Sequence, residues 1–243
     1  MTDLAERLTE VERDQSHPNV RPRDAATLIL VDRTAGKPKV LLGRRHDKHV
    51  FMPGKFVFPG GRLDPSDRLM PVAAPLAPQV ESKLMQGSPA ASASKARALA
   101  LAAIRETFEE TGLLLGQRRE AHARAPEGAW SQFARCGYYP DLSVLHFVAR
   151  AITPPRRPRR FDTRFFSVDA GAIAHRLEGV VHTEAELVEL VWLPIDQART
   201  LDMPAITTVI LEELEQRIVA GFGHDLPVPF YRMRQGRFER TAL

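Results

Sequence analysis

The chain carries one cysteine, Cys136, in 243 residues. A lone thiol excludes an internal disulfide framework, fits a reducing compartment, and reads as a small hydrophobic side chain rather than a nucleophile. Long apolar runs are missing as well. Ala25–Val31 is already broken by Thr27 and falls far short of the roughly 18 residues of a membrane span. The first fifteen residues are acidic and polar, with Leu4, Leu8 and Val11 at helical spacing, and they lack the basic and apolar regions of a secretory signal. The closing Thr241-Ala242-Leu243 is not a peroxisomal address. The expected location is the cytoplasm, with no membrane partner. A strong charge excess is absent too: 34 Lys and Arg against 30 Asp and Glu give +4, too mild to point to nucleic acid. No internal repeat is found, and Pro53-Gly54-Lys55 lacks the spacing of a phosphate-binding loop. His46 and His49 have no second Cys/His pair to complete a zinc site.

What is present is a globular composition, 44% hydrophobic, long enough to bury its own core as a single domain over 1–243. Residues 1–20 are expected to form a helical arm. Ala25–Val31 and Lys39–Arg44 read as strands around a Thr34-Ala35-Gly36-Lys37-Pro38 turn, and Phe56–Phe58 as a short strand running into Gly60-Gly61, where backbone must approach something closely. Residues 68–95 turn rich in Ala, Pro and Ser and are expected to be a partly mobile surface insertion. Lys95–Thr111 has no Gly or Pro and stops at Gly112, which predicts a helix with a left-handed cap. Strands follow at Leu142–Ala151, Phe161–Val168 and Glu186–Trp192. A second helix over 205–220 is expected to close the chain, giving one mixed α/β layer fold. Trp130, Tyr138 and Tyr139 offer rings for packing or for stacking on a base.

The chemistry centres on the first long helix. Leu101, Ile104, Phe108 and Thr111 fall on one side and Glu106, Glu109 and Glu110 on the other. Acids three and four apart repel one another, so a cation is expected among them. Mg²⁺ is a hard ion held by a few carboxylates together with substrate phosphates, and these three suit it. Arg105 lies at the right spacing to hold Glu109, and Gly60 and Gly61 can offer bare backbone to the same ion.

Gly61-Arg62-Leu63-Asp64-Pro65-Ser66-Asp67 followed by Arg105-Glu106-Thr107-Phe108-Glu109-Glu110-Thr111-Gly112-Leu113 resembles the box of the Nudix hydrolases, G-x5-E-x7-R-E-U-x-E-E-x-G-U. The second half matches except for Thr107 at a usually aliphatic position. In the first half Asp67 stands where the family has Glu, and 37 residues, 68 to 104, replace the usual seven. Together with Phe51–Gly61 and Arg160–Phe166, the pattern is similar to the nucleoside diphosphate-linked moiety X motif 19-like, coenzyme A diphosphatase-like branch.

The resemblance implies a Nudix fold, an α/β/α sandwich around a mixed sheet, with the insertion inside the box. It implies Mg²⁺- or Mn²⁺-dependent hydrolysis of a nucleoside diphosphate linked to another moiety, coenzyme A or acyl-CoA first. Glu106 and Glu110 would be the principal metal ligands, Glu109 a third ligand or water orienter, and Gly60 a carbonyl donor. Arg105 would orient a carboxylate, and Glu186, in preference to Glu184, would act as general base. Arg44, Arg45, Arg160 and Arg164 are candidates for substrate phosphate. The partner is a small nucleotide, and a homodimer is compatible with the resemblance. The alternatives are a Nudix-fold sensor that binds nucleotide or RNA through the arginines near 156–160 without cutting it, and an mRNA-decapping enzyme.

Overall fold

The computed structural model describes residues 3–34, 36–48, 52–87, 91–119 and 125–243. His49 and Phe51 lie outside them.

Helix α1 (Leu4–Glu10) precedes strands β1 (Arg23–Asp32), β2 (Lys39–Arg45), β3 (Phe56–Val57) and β4 (Gly60–Arg62). A 3-10 turn, Pro65–Arg68, leads through α2 (Pro78–Leu84) to α3 (Ala93–Thr111), β5 (Leu113–Arg118), α4 (Ala129–Arg135) and β6 (Tyr138–Pro140). Then come β7 (His146–Ile152), β8 (Phe161–Asp169), β9 (Ile173–Arg176), β10 (Leu187–Pro194), α5 (Ile195–Ala198), α6 (Ala205–Val219), β11 (Pro229–Arg234) and β12 (Arg237–Ala242).

The main sheet is mixed, in the order β10-β2-β1-β8-β7-β11-β12, with β3 paired to β2 and β4 to β1; β6, β5 and β9 form a small second sheet. Strand β1 shows why the architecture is a sandwich. Its side chains alternate, so Ala26, Leu28 and Leu30 join the core under α2, α3 and α4, while Ile29 and Val31 join the core under α1, α5 and α6. A strand buried on both faces reads as a continuous apolar run, as Ala25–Val31 does. β1 lies parallel to β8 over nine residue pairs.

The gap that becomes the site is a consequence of pairing. β1 and β2 pair only at Val31/Val40 and Asp32/Lys39. Beyond that the two strands take different partners: β2 pairs with β3 at Gly43 and Arg44, and β1 with β4 at Ala25, Ala26 and Thr27. The segment from Phe56 to Arg62 thus connects the two parting strands, and α3 packs against its β4 end.

Helix α3 begins at Ala93, capped by the Ser92 side chain, and ends on Gly112 at φ 73°. α6 spans Ala205–Val219, as its periodicity predicts. Other expectations are corrected. The helical arm is helical only from Leu4 to Glu10. Residues 68–95 are not a loose surface segment: Met70, Leu76, Val80 and Leu84 are buried in the α3 core, α2 lies among them, and the end of the segment is the first turn of α3. Residues 88–90 lie outside the described set. The chain does not end on a helix, because after α6 the β11–β12 hairpin extends the sheet beside β7.

Candidate active site

Three acids reach one cleft from two directions. Glu106 and Glu110 sit one turn apart on α3, and Glu186 stands one residue before β10. All three line a cavity that Gly60, Gly61, Arg45, Phe58, Phe165 and Ile206 help to close. Two glycines make the approach physical. A Cβ at Gly61 would run into the Glu106 carboxylate, and one at Gly60 would meet Thr27 Oγ1 at 2.6 Å and the Ala26 carbonyl at 2.7 Å, closer than real Cβ contacts come. In the antiparallel ladder Leu28 N–H bonds Pro59 C=O and Leu63 N–H bonds Asp24 C=O. The alternation therefore turns the Gly60 N–H and C=O away from β1. The freed Gly60 N–H donates to Glu110 Oε2 at 3.0 Å.

The helix face carrying these acids is not the solvent-exposed polar stripe that its charge suggests. Glu110 is buried, Glu106 half-buried, and Thr107 between them is fully buried, donating to Ala103 C=O at 2.8 Å. Burial pushes the Glu106 carboxyl up to about 7, with Glu109 and Glu186 adding to the rise while Arg105 opposes it. Glu110 is held well above the usual carboxylate range, first by burial and then by Glu186 and Glu106; the Gly60 N–H and Arg45 only partly offset this. Buried acids that resist ionisation beside one another form a site short of positive charge.

Arg105 organises the other side of the helix. Its guanidinium donates to Asp67 at 2.7 and 3.1 Å, to Glu106 at 2.9 Å, to Glu109 at 2.6 Å and to the Arg62 carbonyl at 2.9 Å. Burial opposes its charge, but Asp67, Glu106 and Glu109 hold the guanidinium firmly protonated. Asp67 is fully buried and also accepts from Trp130 Nε1 at 3.0 Å and from the Asp64 N–H at 2.8 Å. The acid before the insertion therefore meets the box helix across 38 residues of sequence. Trp130 is sealed in the core by this bond and by an edge contact with Phe133, so it is not available to stack on a base.

The remaining candidates separate. Glu186 accepts from Arg45 at 2.6 Å and faces the helix acids, whereas Glu184 is exposed in the preceding turn and outside the cleft. Glu109 is the most exposed of the three helix acids and turns to Arg105, not into the cleft. Arg44 pairs with Glu189 and Asp47. Arg164 is buried against Asp24 and Asp162 and serves the sheet, not a phosphate. Arg160 donates to the Thr153 and Val20 carbonyls and to Asn19. The sequence reading missed Arg62, which lines this cleft and its neighbours; its place directly after Gly61 was the available signal.

No family model matches the chain. A solved Nudix hydrolase from Alicyclobacillus acidocaldarius is 30% identical and superposes with a TM-score of 0.60, covering 79% of this chain and 90% of that one. The chain belongs to the Nudix hydrolase family. Its helix α3 carries the second half of the Nudix box. Among curated proteins, the chicken acyl-coenzyme A diphosphatase NUDT19 is 28% identical over 209 residues, covering 59% of this chain and 54% of that protein. The chain spans about half the length of this curated relative. Among the described residues, no helix is long and apolar enough to cross a membrane.

Proposed function

We propose that this Nudix hydrolase uses Mg²⁺ or Mn²⁺ to cleave the diphosphate bridge of a nucleoside diphosphate linked to another moiety, with coenzyme A or an acyl-CoA as the first candidate. The observation that carries the reading is the convergence of Glu106, Glu110 and Glu186 on the Gly60–Gly61 cleft. The name of the chicken relative supports the substrate. So does the cleft wall, where Val57, Phe58, Phe165 and Ile206 offer an apolar surface beside the acids for a pantetheine or acyl chain.

The residues fit a hard divalent ion. Among the described residues no three His, Cys, Asp or Glu side chains are gathered tightly enough to enclose one, and each of two acids here is drawn to a guanidinium, Glu106 to Arg105 and Glu186 to Arg45. Yet the donors are all oxygen, Gly61 lets the Glu106 carboxylate lie against bare backbone, and Glu110 is a buried carboxylate with one backbone donor. Glu106, Glu110 and the Gly60 carbonyl would hold the ion. When bound, it supplies charge neutralisation for the diphosphate and a lowered pKa for water.

The chain's own groups do the rest. Arg105 is a positioning residue: pinned by Asp67, it fixes Glu106 at the turn of helix that faces the cleft and holds Glu109 outside it. Glu186, steered by Arg45, accepts the proton of the attacking water, and the parted strands leave a bounded cavity where the substrate's anhydride is held in line. The test is mass-spectrometric product analysis with coenzyme A, acyl-CoA, ADP-ribose, NADH and diadenosine polyphosphates, with Mg²⁺, with Mn²⁺ and with chelator. Metal-dependent 3′,5′-ADP and phosphopantetheine are the expected products; cleavage of another compound alone would move the substrate assignment.

A further inference from the structure

We propose that a second anion subsite lies beside the acids, where Arg21, Arg23, Arg62, Arg159 and Arg160 bind a phosphomonoester of the substrate remote from the scissile diphosphate. The inference rests on the proposed diphosphate hydrolysis and names where that substrate's further phosphate sits. A cleft of about 730 Å³ is lined by these five arginines with Val20, Pro22, Pro158 and Phe161, and among the described residues no carboxylate lines it. Guanidinium groups gathered on one concavity favour an anion between them.

Register explains the convergence. Arg23 and Ala25 point to the same face of β1, and Ala25 stands opposite Arg62 on β4, so the Arg23 and Arg62 side chains are diagonal neighbours on one face. The Arg23 N–H bonds the Arg160 carbonyl at 2.9 Å, which fixes the 156–160 arm against the start of β1. Among the described residues Arg160 donates to neutral oxygens of Thr153, Asn19 and Val20, which leave its charge uncompensated.

The nearby acids are otherwise engaged. Asp24 is bound by Arg164 and Lys95, and Asp162 by Arg150 and Arg164. Asp64 accepts from the Ser66 N–H and hydroxyl, and its carboxylate also attracts Arg105 and Arg62 without a direct ion pair to Arg62. Among the described residues Arg21, Arg23 and Arg62 make no ion pair. Arg62 also lines the acid cleft and a third cleft that holds Glu106 and Arg105, so one side chain borders both the basic pocket and the reacting end. A guanidinium fork matches phosphate bidentately. The chemistry selected is a diphosphate carrying one more phosphate group on its nucleoside end, as in coenzyme A, over the same molecule without it.

The experiment compares kcat/KM for coenzyme A and dephospho-coenzyme A in the wild type, Arg23→Gln, Arg62→Gln and the double variant, each checked for an unchanged thermal melt. The wild type is expected to favour coenzyme A. That ratio is expected to fall about 10-fold or more per arginine, mostly through KM. A wild-type ratio near one, or a ratio that the variants leave unchanged, would overturn the subsite. Binding is read separately by calorimetry in chelator, with 3′,5′-ADP against 5′-AMP as probes. If neither coenzyme is hydrolysed, the proposed substrate fails while the subsite still predicts tighter 3′,5′-ADP binding that Arg23→Gln and Arg62→Gln abolish; equal binding of the two probes would sink it.

Discussion

Glu110 concentrates the tension between stability and activity in one side chain. A buried carboxylate with one backbone donor and two acidic neighbours costs the folded state free energy, and a fold tolerates this when the charge has a use. Glu110→Gln removes the charge and keeps the shape. In chelator at neutral pH the variant is expected to melt higher than the wild type, by about 2–4 °C for each kcal/mol recovered in a chain of this size. Mg²⁺ should raise the melting temperature of the wild type more than that of the variant. On the preferred substrate, Glu110→Gln and Glu106→Gln should each lower kcat roughly 10²–10⁴-fold, the range for losing a positioned catalytic group. Wild-type turnover in both, or an unchanged melt in chelator, would remove these acids from the site. The residue types and spacing mark Glu106, Glu109 and Glu110 in the sequence as candidate metal-binding acids, because R-E-x-x-E-E-x-G is a pattern of chemistry as much as of helix. Which acid faces the cleft was not legible: Glu109 differs from Glu110 by 100° of helix, and only the position of β4 decides that Glu110 meets Gly60.

At the scale of elements, strands and helices with strong periodicity were read correctly, as with β1 and α6, and weakly patterned ones were not. β12, Arg237–Ala242, carries mostly exposed polar residues, so nothing in its own pattern marks it as a strand; it is defined by its partner β11. The insertion is the larger failure. Its Ala, Pro and Ser composition hid four buried side chains, although Leu76, Val80 and Leu84 stand four apart at helical spacing. Since Leu84 is 5% exposed in the α3 core, Leu84→Ala is expected to cost about 2–5 kcal/mol in chemical denaturation, against about 0.5 kcal/mol or less for a true surface flap. The short strand β4 has the opposite profile, little core but a strict need for space. Gly61→Ala should keep the fold's circular dichroism yet displace Glu106, with metal-dependent turnover falling at least as far as in Glu106→Gln. Activity near that of the wild type would mean that the close approach of β4 to α3 is not required.

At the scale of the whole molecule, a histidine pair that takes no part in the proposed chemistry ties the turn after α6 to the sheet. His146 on β7 stacks on His224 at 4.2 Å and tilts against Phe222 at 4.3 Å, so the turn after α6 is held to the central sheet. Among the described residues the buried His146 Nδ1 has no hydrogen-bond partner. Burial pushes the imidazole down to about 4, with His224, Arg217 and Arg33 adding to the fall and Asp169 opposing it. Burial lowers His224 as well. The sign follows from proton counting. Between about pH 6.5 and pH 4 the unfolded chain takes up a proton on His146 that the folded chain refuses, so acid favours unfolding; the stability is fully present above about 6.5 and is lost as pH falls through about 4. Urea midpoints should therefore drop on going from pH 7 to pH 4.5. His146→Phe, which keeps a ring against Phe222 and His224 but cannot charge, should flatten much of that drop and leave the midpoint at pH 8 comparatively little changed. If the variant keeps the full acid slope, the loss arises from other groups, and the cluster is a neutral hydrophobic contact with no part in the pH response of the fold.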